Sequence, residues 1–205
     1  MEPLDPVEVR VLGALLEKES TTPEYYPLTL NALVNACNQK SSREPVVNYD
    51  EETVLQALAL LRHRGLALKV SGSGHRVEKY AHSLGERLNL GRREAALLQL
   101  LMLRGPQTVG ELRGRSARVY EFAELEEVES CLASLAALEP APLVGSLPRG
   151  RWCHLLAGPP DHTESAAAAS SPTQAGNELA ARVEALEREV AELKQTLASF
   201  RRQFE

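Results

Sequence analysis

Aromatic side chains are scarce in this chain of 205 residues, only 4% of the total. Its cores must therefore be built mostly from Leu, Val and Ala. Basic residues do not dominate either. Lys and Arg number 23 against 28 Asp and Glu, for a net charge of −5. The basic balance that usually marks a nucleic-acid binder is absent from the chain as a whole. Cysteines are few: Cys37, Cys131 and Cys153 are odd in number and widely scattered. They have no metal-ligand spacing and imply no disulfide framework. Reduced thiols in a cytoplasm are the expectation. The opening MEPLDPVEVR is acidic and lacks the apolar run of a signal peptide. Charges interrupt every apolar helical run before membrane-spanning length.

What is present is a pattern that occurs twice. DPVEVRVLGALLEKES reads as a helix, with Asp5 as N-cap, Pro6 in the first turn and Glu8 at capping-box spacing. Val9, Leu12 and Leu16 keep helical spacing. TTPEYYP breaks that helix, and LTLNALVNACNQ forms a second, capped by Thr29. DEETVLQALALLRHRG forms a third, with Val54, Leu58 and Leu61 on one face, and stops at Gly65. LALKV and RVEKY read as strands around a Gly72-Ser73-Gly74 turn. The order then returns. GRREAALLQLLMLRG ends at Gly105-Pro106, QTVGELRGRS carries Thr108 and Glu111 at capping-box spacing, and ELEEVESCLASLAALE puts Val128, Leu132 and Leu135 on one face. PLVGSL and RWCHLL flank a turn at Pro148-Arg149-Gly150. Three helices followed by a two-stranded hairpin is the winged-helix order, and LTLNAL and QTVGEL align as an internal repeat. Each repeat is long enough to hold a core of its own.

TTPEYYPLTLNALVNACNQKSSREPV, SGSGHRVEKY, ELRGRSARVYEF and RVEALEREVAELKQ resemble the YceH-like family of bacterial proteins. The resemblance spans nearly the whole chain. It implies two tandem winged-helix domains and supplies no catalytic or ligand residues. The expected fold class is α+β, mainly helical: winged-helix domains at 1–85 and 86–157, a flexible linker at 158–177 and a coiled-coil helix at 178–205.

A winged helix that reads DNA places its third helix in the major groove and its wing on phosphates. Base readout needs Arg, Lys, Asn or Gln on the exposed face. With Val54, Leu58 and Leu61 buried, the opposite face is Glu52, Gln56, Ala59 and His63. Only Gln56 is a strong base reader there. Asp50, Glu51 and Glu52 suit a helix N-terminus, worth about 0.3–1 kcal/mol, yet repel a duplex. In the repeat the equivalent face is Glu126, Ser130, Ala133 and Ala137, small enough to pack against another helix. The basic residues lie elsewhere. Lys40 and Arg43 follow the second helix, and Lys69, His75, Arg76 and Lys79 belong to the first wing. Arg113, Arg115 and Arg118 follow the second helix of the repeat, and Arg149 and Arg151 sit at its wing. Such loops grip phosphate without reading sequence.

Enzymatic chemistry finds little support. SGSGH is no Walker or dinucleotide fingerprint. Cys153 and His154 are adjacent in a strand, so they point to opposite faces. Tyr25, Tyr26, Tyr120 and Phe122 read as core or interdomain aromatics. No catalytic residue, metal site or cofactor is implied. In the tail, Leu179, Val183, Leu186, Val190, Leu193, Leu197 and Phe200 step by four and three, a heptad seam with Val at a and Leu at d. Arg182 with Glu187 and Glu189 with Lys194 would pair attractively in a parallel homodimer. The alternative is a seam that folds back or takes another partner. The function expected is a non-enzymatic, DNA-associated regulatory or architectural factor that meets phosphates of double-stranded DNA through loops and wings. The alternative is a protein–protein adaptor whose winged helices dock other proteins. No membrane partner is expected.

Overall fold

The computed structural model describes residues 2–70 and 77–159. The Gly72-Ser73-Gly74 turn, His75, Arg76, nearly all of the linker and the whole heptad seam lie outside them.

Helix α1 runs Pro6–Thr21. Its start is the expected capping box: the Asp5 carboxylate accepts from the Glu8 N–H at 2.7 Å, and the Glu8 carboxylate accepts from the Asp5 N–H at 2.9 Å. A 3-10 turn, Pro23–Tyr25, follows. Strand β1 (Leu28–Thr29) leads directly into α2 (Leu30–Cys37), whose N-cap is Thr29. Helix α3 spans Glu51–His63 and is capped by Asp50, which accepts from the Thr53 N–H at 2.8 Å. Gly65, at φ +69°, turns the chain into β2 (Ala67–Val70). The hairpin returns along β3 (Lys79–His82). A short helix, α4 (Leu84–Leu88), ends at Asn89 in the left-handed region.

The order then repeats. Helix α5 (Arg92–Arg104) ends at Gly105, again at positive φ. Strand β4 (Gln107–Thr108) leads into α6 (Val109–Ser116), where Thr108 and Glu111 form the second capping box. Helix α7 (Leu125–Ala136) and the strands β5 (Val144–Leu147) and β6 (Arg151–His154) complete it. The protein is thus α+β, with two small antiparallel sheets of order β1-β3-β2 and β4-β6-β5. The repeat extends to register. Thr29 pairs with Lys79 as Thr108 pairs with Arg151, and each threonine is at once the end of a strand and the cap of the next helix.

The two repeats share one core. Residues 2–159 fall within a single compact unit, and the buried apolar residues of both repeats form one cluster. Helix α1 buries nine successive residues, Glu8 to Leu16, and α5 buries eight, Ala96 to Leu103. At 100° per residue such runs cover the whole helix circumference. The two helices lie against each other. Gly13 marks a tight approach: a Cβ there would stand 3.1 Å from Leu103 Cδ2 and from Met102 Cβ. Each half was expected to hold a core of its own. The first helix of each half instead serves both.

Buried charges are tied down as burial requires. Arg10 donates to the carbonyls of Cys37 (3.1 Å) and Pro45 (2.6 Å), fixing the loop between α2 and α3. Glu8 meets the Arg64 guanidinium at 3.2 Å. No helix among the described residues is long and apolar enough to cross a membrane.

Candidate nucleic-acid interface

The exposed face of α3 carries Glu52, Gln56, Ala59 and His63. Gln56 Nε2 donates to Glu52 Oε1 at 3.4 Å, so the one base-reading side chain is held by a carboxylate. Hydrogen bonds from Thr53, side chain first, hold the Asp50 carboxyl below its ordinary range, so the helix entrance stays anionic. Leu55 and Leu60 are also exposed on α3, at 45% and 46%. Leu68 and Val70 on β2 add apolar surface. An open hollow between the end of α3 and β2 is lined by Ala59, Arg62, His63, Ala67, Leu68 and Lys69. Ser130 and Ala133 on α7 and Ala137 just after it are exposed. The expected helix packing on Ala133 and Ala137 is not supplied by the described chain.

The basic residues separate into held and free. Lys69 is ion-paired with Glu78 across the first hairpin. Lys79 is half-buried on β3. Arg113 donates to the carbonyls of Phe122 and Ala123 and closes the loop after α6. Arg151 donates to the Pro106 carbonyl. Lys40, Arg118 and Arg149 are exposed, with no hydrogen-bond or ion-pair partner among the described residues. Arg149 stands at the second hairpin tip with φ +64°.

Arg43 is a correction to the expected phosphate set. Its side chain is fully buried. It forms a two-pronged pair with Glu17 at 3.0 and 2.5 Å and donates twice to the Ala36 carbonyl, at 3.1 and 2.9 Å. Arg43 anchors the loop onto α1 and the end of α2 and has no free face for a phosphate. The aromatics are also corrected in part. Tyr25 is 71% exposed, whereas Tyr26 accepts from the His82 N–H at 2.7 Å, and Tyr120 meets Phe122 edge-on at 4.7 Å.

Sequence reasoning missed Arg104, at the last turn of α5. The loop from Asn38 to Asp50 crosses from the first repeat to the second. The Glu44 N–H donates to the Leu103 carbonyl at 2.8 Å, and Arg104 Nη2 donates to Ser42 Oγ at 2.6 Å. Ser42 holds φ +61°, uncommon for a residue with a Cβ. Arg115 Nη1 donates to Gln107 Oε1 at 2.7 Å, and Gln107 Nε2 donates to the Leu100 carbonyl at 3.1 Å. Arg115 is thereby tied to the end of the helix that carries Arg104. Burial first, then the charges of Arg115, Arg43 and Arg118, lower the Arg104 pKa.

The fold and this surface define an α+β protein with a duplicated helix-and-hairpin unit joined by a basic seam. A family profile described as "Protein of unknown function, DUF480" matches residues 4–151. A UPF0502 protein of Solibacter usitatus is 56% identical over 208 residues, 98% of each chain. One from Citrifermentans bemidjiense is 57% identical over 170 residues, 80% of this chain and 78% of its own. The UPF0502 protein YceH of Escherichia fergusonii is 50% identical over 203 residues, 94% of this chain and 93% of its own. The chain belongs to the DUF480, or UPF0502, family, which includes YceH.

Proposed function

We propose that the protein is a non-enzymatic, DNA-associated regulatory or architectural factor that grips phosphates through loops and wings. In this reading 1–85 and 86–157 are winged-helix units, and 178–205 is a coiled-coil helix beyond a linker. The observation that carries it is that the exposed cations Lys40, Arg118 and Arg149, on loops or a hairpin tip, have no hydrogen-bond or ion-pair partner among the described residues. The acidic entrance of α3 argues against base readout, so binding is sequence-tolerant and strongly salt-dependent. The thiol environments support a role without catalysis. Burial pushes Cys37 and Cys131 up to about 12 and raises Cys153 as well, so none is an activated thiolate.

The test is affinity for random duplex DNA across a salt series. Lys40→Gln and Arg149→Gln should each lower the log–log salt slope by about 0.9. Gln56→Ala should change neither slope nor affinity. A folded protein that binds no duplex at low salt would end this reading. The second reading is a protein-docking adaptor, favoured by the exposed Leu55 and Leu60 on α3.

Self-association through the tail belongs to the same proposal. Its support is the heptad spacing from Leu179 to Phe200. Val190→Asp would bury a charge against its copy and should open the pair at neutral pH. A chain ending at Gly176 should sediment as a monomer. If that shortened chain dimerises as well as the full one, the seam has another partner.

A further inference from the structure

We propose that Arg104, Arg118 and Ser42 form a phosphate-binding site at the seam between the two repeats. The site deepens the DNA reading, on which it rests, by placing a backbone phosphate between the loop after α2 and the end of α5.

The donors there exceed what the fold uses. Arginine near a helix end often serves the last carbonyls. At α5 three of the carbonyls near the end already have other donors. The Leu101 carbonyl accepts from the Gly105 N–H, Leu103 from the Glu44 N–H, and Leu100 from the Gln107 amide. Arg104 donates to none of them. Its described bond goes to Ser42 Oγ, and its Nε–H is buried without an acceptor. Orphaned buried donors are rare in folded proteins, because each forfeits a hydrogen bond to water. Ser42, accepting from Arg104, keeps its own hydroxyl proton to give.

The charges agree with the donors. The charges of Arg115, Arg43 and Arg118 all reach Arg104, and the carboxylates beside these arginines are Glu17 and Glu111. Glu17 is spent on Arg43 and Glu111 on Arg115, at 3.3 Å. Arg104 and Arg118 are left without a counter-ion among the described residues. Ala117 keeps helical backbone angles as the C-cap of α6, and Arg118 follows it in the turn, three residues after Arg115. Like charges gathered in a chain of net charge −5 are costly unless an anion joins them. Phosphate fits, because it brings several acceptor oxygens and pairs with guanidinium in forked geometry.

The experiment compares the full-length protein with Arg118→Gln and Arg104→Gln. Thermal midpoints are read in inorganic phosphate and in chloride at matched ionic strength, and duplex DNA affinity is read across salt. Arg118 makes no hydrogen bond or ion pair among the described residues, so its variant should fold normally. Phosphate should raise the wild-type midpoint, and both substitutions should remove most of that rise. Each should also lower the DNA salt slope by about 0.9. If the parent binds DNA and both variants match it in affinity and slope, the seam site is wrong while the DNA reading stands. If phosphate protects the parent but not the variants, and no DNA binds, the site is a free-anion site and the DNA reading falls. No phosphate effect and no DNA binding would overturn both.

Discussion

Residues 1–85 expressed alone are expected not to fold cooperatively. The cause is α1, whose nine successive buried residues have no solvent side. Helices α2 and α3 and strand β3 cover part of its surface, and α5 lies against another part. Without α5, the Gly13 face and its neighbours would meet water, at about 25 cal/mol for each Å² of apolar surface exposed. Natural domains are stable by only about 5–15 kcal/mol, so losing one whole side of a central helix is enough to remove the fold. Residues 1–160 should unfold in one transition by circular dichroism in urea. The 1–85 fragment should show a broad, non-cooperative change. A fragment with its own sharp transition near the parent's midpoint would show that the repeats are independent after all.

Arg43→Ala is expected to cost about 3–5 kcal/mol, the usual penalty for removing one partner of a buried ion pair. It strips the Glu17 carboxylate and the Ala36 carbonyl of their donors together. In a unit of this size the thermal midpoint should fall on the order of 10 °C. Arg43→Lys should recover only part of this, since an ammonium cannot repeat the fork. Replacing Arg43 and Glu17 together with apolar residues should cost less than the sum of the two single changes. A loss under about 1 kcal/mol for Arg43→Ala would mean that water replaces the guanidinium and that the loop is not anchored there. The result also bears on DNA binding. A charge-reversed Arg43 would weaken binding by damaging the fold, so it cannot report on phosphate contacts.

Element starts were legible because caps are local. Asp5, Thr29 and Thr108 bond within three residues of themselves, and each stands where its spacing places it. The two-residue strands β1 and β4 were not legible, because each exists only by pairing with a strand over forty residues away. Helix α4 was missed for a related reason: it is short and has no side-chain cap at its start. The shared core was hidden by charge. Glu8 and Arg10 break the apolar run of α1, so its text reads as one-sided although both side chains are buried. The same limit governs the candidate site. Arg43 and Arg118 are alike in sequence, basic residues after a second helix. One lies under Glu17 and the other in solvent, and only the fold tells them apart.

One backbone contact has a wider meaning. The Leu4 N–H donates to the Leu156 carbonyl at 2.8 Å, and both side chains are buried. Pro3 lies against Gly158. The described unit is therefore nearly a closed ring, with its two ends stitched together. In a ring the choice of where the chain starts is a matter of covalent history, because the packing contacts are the same wherever it is opened. A short bridge from residue 158 to residue 3, with a new opening in an exposed connection such as Glu139–Pro142, would preserve every helix and both sheets. The position of the chain ends is then interchangeable, while the contact of the repeats across α1 and α5 is not.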